Sequence, residues 1–132
     1  MLIVTSIFAS ILAIIFMRLS FHVIGLRRKN KVAVGTGGVD ELDRAIRAHG
    51  NFSEYVPIGL ILLGALELNG APIALVVALG VLLTLGRLIH AKGINEPPPQ
   101  FKNRVLGMKL TFAALAVSVM TNLAWIVYLI CF

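Results

Sequence analysis

The chain has 132 residues and a net charge of +6; 58% of its residues are hydrophobic, only 14% are charged, and the mean hydropathy is +0.93. A water-soluble domain of this length cannot bury so much apolar surface, so the composition predicts an all-α integral membrane protein with one domain over residues 1–132. The basic excess follows membrane topology rather than a nucleic-acid surface, and the single cysteine, Cys131, excludes an internal disulfide.

The first apolar span covers residues 2–26, long enough to cross about 30 Å of hydrocarbon with some tilt. No basic segment precedes it and no small-x-small cleavage site follows, so it is expected to be a retained helix rather than a removed signal peptide. Arg18 and His22 interrupt it at i, i+4 and share one face. Either Arg18 faces a neighbouring helix or snorkels, or both residues lie on the wall of a polar cavity.

Arg27, Arg28, Lys29 and Lys31 form a basic cluster that anchors the span end. Residues 34–38 make a flexible Gly-rich link; with no following Gly-Lys-Ser/Thr it is not a phosphate loop. Asp40 reads as a helix N-cap, with Glu41 and Asp43 in the first turn, where acids suit the helix dipole.

The helix begun there carries a polar stripe and continues as the second span, residues 51–68. At roughly 100° per residue, Arg47, Asn51 and Glu54 fall within about 60° of one another, flanked by Arg44 and Tyr55. Pro57 removes one backbone donor, and a mild kink is expected. Residues 69–72, Asn-Gly-Ala-Pro, make a short turn, with the glycine at one helix end and the proline in the first turn of the next.

The third span, residues 72–91, is interrupted by Arg87 and His90 on one face. A proline run makes residues 95–100 a stiff extended loop. The fourth span, residues 105–130, ends with Trp125 and Tyr128, which fit an interfacial belt.

Every Lys and Arg except Arg18 lies in or beside residues 27–47 or 87–109. By the positive-inside rule the two long connections, residues 27–50 and 92–104, are cytoplasmic. Both termini and the turn at residues 69–72 then lie opposite, giving an up-down-up-down four-helix bundle. At the cytoplasmic face Arg27, Arg28, Arg47, Arg87 and Arg104 would surround one deep carboxylate, Glu54, with Asn51, Tyr55 and His90 among them. So many arginines exceed what anchoring needs. Arginine forks grip carboxylates at two points, so the pattern suits a small zwitterionic peptide whose amine meets Glu54. No metal is expected, because His22, His49 and His90 have no companion cysteines or close second ligand.

The segment Arg47-Ala-His-Gly-Asn51-Phe-Ser-Glu54-Tyr55-Val-Pro57 resembles the Arg-x-x-x-Asn-x-x-Glu-Tyr signature of the MAPEG family, the membrane-associated proteins in eicosanoid and glutathione metabolism. Val23-Ile-Gly-Leu-Arg27-Arg28, Arg87-Leu-Ile-His90 and Arg104 are similar, in that order, to the ends of the family's first and third helices and the start of its fourth. The resemblance covers the whole chain. It implies a homotrimer that binds glutathione between subunits near the cytosolic face. Carried over by position, Arg27, Arg47, Asn51, Glu54, Tyr55 and Arg87 would bind glutathione. Arg104 would hold the thiol as thiolate, and Arg28 would assist the electrophile or leaving group. A nearby guanidinium lowers a thiol pKa, and the thiolate is the nucleophile.

Two departures stand out. Where the leukotriene branch ends its third span with tyrosines, this chain has His90 and Ile94, so imidazole replaces one phenol contact in the glutathione site. The basic loop before Arg104 also differs in length. The expected function is a bacterial-type glutathione transferase acting on lipophilic electrophiles that arrive through membrane lipid, with reduction of lipid hydroperoxides as a second activity and an inner-membrane location. The alternative is a non-catalytic membrane oligomer that binds an anionic peptide or lipid headgroup at the same arginines.

Overall fold

In the computed structural model, which describes residues 1–131, the chain forms four helices: α1 (Ile3–Asn30), α2 (Asp40–Leu68), α3 (Ile73–Asn95) and α4 (Phe101–Cys131). Each is long and apolar enough to cross a membrane. Large apolar side chains also cover the outside of the bundle; Phe21, Met120 and Ile130 are 69%, 67% and 78% exposed. Helices that are apolar all round need lipid, not water, around them.

The helices alternate in direction. α2 packs against all three others, while α1 and α4 lie on opposite sides of the α2–α3 pair, with no close backbone approach between them among the described residues. The core runs between them through Phe8, Leu12, Phe52, Leu63, Val76 and Leu83.

Small residues bring α3 and α4 into backbone contact. A Cβ on Gly107 would lie 2.5 Å from the His90 nitrogen and 2.7 Å from the Gly86 oxygen, and one on Gly93 would lie 2.8 Å from the Arg104 nitrogen. Without water to drive association, such close approach is what membrane helices use to gain dispersion contacts.

At the turn end, Glu67 accepts the backbone N–H groups of Val4 (2.8 Å) and Thr5 (2.7 Å). The N-terminus of α1 has no side-chain cap of its own, so a carboxylate from α2 satisfies donors that lipid could not. Trp125 Nε1 donates to the Asn69 carbonyl at 2.7 Å, tying α4 to the α2–α3 turn. Asn122 donates to the Leu62 carbonyl at 3.1 Å.

The other end is uneven. Ala48 of α2 and Ala91 and Ile94 of α3 form one buried cluster with Leu19, so the last turn of α3 lies level with the middle of α1. Beyond that level α1 and α2 continue as a hairpin with its own small core of Leu26, Leu42 and Ala45. From Leu19 to Arg28 the rise is about 14 Å.

Three local expectations change. Asp40 is the first residue of α2 rather than its cap; Val39 holds the cap position in extended geometry, and the three acids stay in the first turn. Pro72 caps α3 from outside instead of sitting in its first turn. Residues 96–100 do not stretch away, because the Gln100 N–H donates to the Gly93 carbonyl at 2.9 Å and α4 begins at Phe101. The Gly-rich link is a series of tight turns, with positive φ at Gly35, Gly37 and Gly38, where only glycine is unstrained.

Candidate functional site

Arg87 is the hub. It is 1% exposed, held by α3 between α2 and α4. Its Nε donates to Thr111 Oγ1 at 2.8 Å, Nη1 to Asn51 Oδ1 at 2.8 Å and to the Asn51 carbonyl at 3.4 Å, and Nη2 to the Met108 sulfur at 3.2 Å. The guanidinium carbon sits 5.0 Å from the centroid of the Tyr55 ring. These hydrogen bonds occupy most of the five N–H donors of an arginine. No carboxylate pairs with Arg87 among the described residues, so its positive charge is uncompensated inside the bundle.

Asn51 and Tyr55 are one turn apart on α2, and the two contacts lock both side chains against Arg87. Tyr55 also meets Phe112 of α4 edge-to-face at 5.7 Å. Phe112, Met108, Val105, Arg104 and His90 line an open groove of about 280 Å³ along α4. His90 is buried, and its Nδ1 lies 2.9 Å from the Arg104 carbonyl, so the imidazole pins the start of α4 to α3. The Arg104 side chain is exposed on the groove.

The polar stripe of α2 therefore straddles an edge. Asn51 and Tyr55 turn inward, while Arg47 and Glu54 are exposed. Arg47 pairs with Asp43 at 2.9 Å, an i, i+4 pair with both side chains in the open. Such a pair contributes only about 0.3–0.5 kcal/mol and yields readily to a better anion. Glu54 has no hydrogen bond or ion pair with the described residues.

The structure brings together Asn51, Tyr55, Arg87, His90 and Arg104, and sets Arg47 and Glu54 beside them facing outward. It does not bring Arg27 and Arg28 to this place, because α1 carries them out along the projecting hairpin. Arg27 donates to the Ala33 and Gly35 carbonyls at 3.3 and 3.0 Å and shapes the link; Arg28 is exposed. His49 packs on α1, with its Nε2 3.0 Å from Ser20 Oγ and its ring 4.7 Å from that of Phe16.

Sequence reasoning missed Thr111 and Met108, the α4 partners of Arg87, and Glu67. Thr111 carried a weak signal as a hydroxyl in an apolar span. Glu67 carried a stronger one, since an acid two residues before an Asn-Gly turn needs a nearby donor.

Fold and site together define a polytopic membrane protein with a buried arginine network and an arginine-lined groove at one end of a four-helix bundle. The sequence model of the MAPEG family matches residues 5–124, and the chain belongs to that family. It is 41% identical over 120 residues to "Inner membrane protein YecN" of Escherichia coli K12, an alignment spanning 91% of this chain and 90% of that protein. The protein of the same name in Escherichia coli O6:H1 matches equally.

Proposed function

We propose that this chain is a membrane-bound glutathione transferase that joins the glutathione thiolate to lipophilic electrophiles, with glutathione-dependent reduction of lipid hydroperoxides at the same site. The observation that carries this reading is the Arg87 network. It fixes Asn51 and Tyr55 at the boundary between the outward-facing pair Arg47 and Glu54 and the groove that Arg104 lines. Glutathione has two carboxylates, an ammonium and a thiol. Arg47 suits a carboxylate, Glu54 the ammonium, and Asn51 and Tyr55 the peptide groups. Arg87 acts mainly by holding Asn51 and Tyr55, and His90 by holding the α4 start that presents Arg104.

Arg104 stabilises the thiolate after the S–H proton leaves to water. The sulfur lone pair then forms the new bond to the electrophilic carbon, and the leaving group departs with its bonding pair. Because Arg47 and Glu54 face out of the subunit, a second copy completes the site, and Arg27 and Arg28 reach it from that neighbour's projecting hairpin. A homotrimer fits this arrangement. The inner-membrane name of the relative and the basic connections favour a bacterial inner membrane with the site on the cytoplasmic face and both termini opposite.

The test is rapid mixing of detergent-purified protein with glutathione, following thiolate absorbance in the ultraviolet. A saturable signal is expected, abolished in Arg104→Ala and shifted to weaker affinity in Arg47→Ala. Binding without thiolate would return the non-catalytic reading, and no binding would remove glutathione as the ligand.

A further inference from the structure

A second groove, of about 300 Å³, lies between α1 and α3, away from the Arg104 groove. It is lined by Ile15, Arg18, Leu19, Leu88, Ala91, Lys92 and Asn95. We propose that it holds the phosphate of an anionic glycerophospholipid between Arg18 and Lys92.

Arg18 interrupts the first apolar span together with His22, yet it is exposed and has no hydrogen bond or ion pair with the described residues. A cation on a membrane span without a protein partner normally reaches for an anion at the membrane surface. Its neighbours in the fold indicate which level it reaches. Arg18 shares the groove with Lys92 and Asn95, which belong to the last turn of α3. The apolar span of α3 ends at that turn, which places Arg18 at the level of lipid headgroups, not at mid-span.

The remaining walls are Ile15, Leu19, Leu88 and Ala91, which suit the glycerol and first acyl carbons running towards the bilayer centre. Lys92 pairs with Glu96 at 3.4 Å, with their side chains 67% and 35% exposed. One carboxylate against two cations leaves the groove net positive, with Arg18 free to take a phosphate oxygen pair. A zwitterionic headgroup would bring its own cation and gain less. This site does not depend on the transferase reading.

The experiment is native mass spectrometry of the full chain in a neutral detergent, titrated separately with phosphatidylglycerol, phosphatidylcholine and inorganic phosphate. Wild-type protein is expected to retain phosphatidylglycerol in preference to phosphatidylcholine and to show no matching uptake of inorganic phosphate. Arg18→Gln and Lys92→Gln should each weaken retention about fivefold, and the double variant about thirtyfold. Lys29→Gln, from the basic cluster outside the groove, should leave it unchanged. Helical circular dichroism checks that each variant is folded. Equal retention by the folded double variant, an equal loss in Lys29→Gln, or equal affinity for phosphatidylcholine would overturn the lipid site. Uptake of inorganic phosphate as tight as that of the lipid would overturn it too, in favour of a soluble anion.

Discussion

Replacing Arg87 by methionine tests whether the buried arginine works through its neighbours. Methionine matches the stem but removes every N–H. Thr111 Oγ1 keeps its own bond to the Gly107 carbonyl at 2.8 Å, so its loss is small. Asn51 Oδ1 loses its partner in a half-buried place, which costs about 1–3 kcal/mol. The lost guanidinium–Tyr55 contact adds about 0.5–1 kcal/mol. Relief from burying an uncompensated cation offsets part of this. A net destabilisation of about 1–3 kcal/mol is expected, read as a shift in sodium dodecyl sulfate mole fraction at half-unfolding by circular dichroism. The affinity for glutathione should fall about tenfold or more, and Asn51→Ala should give a similar fall. If Arg87 acts by holding Asn51, the double variant should be little worse than either single one. Strict additivity would show that Arg87 touches the ligand independently. Unchanged stability together with unchanged affinity in Arg87→Met would refute the network argument altogether.

Further outcomes follow from other contacts. Gly107→Ala places a methyl 2.5 Å from the His90 nitrogen, which must push α4 from α3; a loss of about 1–3 kcal/mol in detergent unfolding and of the Arg104-dependent thiolate signal is expected. Glu67→Ala leaves the Val4 and Thr5 N–H groups without acceptors, so hydrogen exchange should speed up selectively at residues 3–8. Glu67→Gln, which keeps one acceptor oxygen, should fall between. Trp125→Phe removes the bond to the Asn69 carbonyl at a cost of about 1 kcal/mol; in the wild type, emission from this single tryptophan should shift as the α2–α3 turn separates from α4 during unfolding.

Much of the fold was legible because a bilayer imposes a simple rule. Apolar runs of sufficient length must be helices, since only helices satisfy their own backbone groups in lipid. Four such runs and one short turn leave few alternatives, and the structure has four helices long and apolar enough to cross a membrane. The span-two motif was legible in the same way, because Arg47, Asn51, Glu54 and Tyr55 fall on adjacent faces of one regular helix. Helix phase alone could not show which of them turn inward. Asn51 and Tyr55 do so because Arg87, itself held by Thr111 and Met108, meets them there, and those residues lie on other helices 32 to 60 positions away in the chain.

Depth was the other quantity beyond the reach of spacing. Reading every span end as one plane put Arg27 and Arg28 beside Arg87 and left the level of Arg18 open. The structure offsets α1 and α2 along their axes, so that Leu19 meets Ala48 and Ala91. That offset lifts Arg27 and Arg28 outward and brings Arg18 to the edge of α3. Composition and periodicity by themselves determined that this is a four-helix membrane protein with a polar stripe on its second helix, because burial of backbone and apolar surface is a local demand. Which polar groups share a site, and at what level of the bilayer, was decided only by how the helices slide and close on one another. The small residues at the α3–α4 contact and the long-range hydrogen bonds of Arg87 set that arrangement.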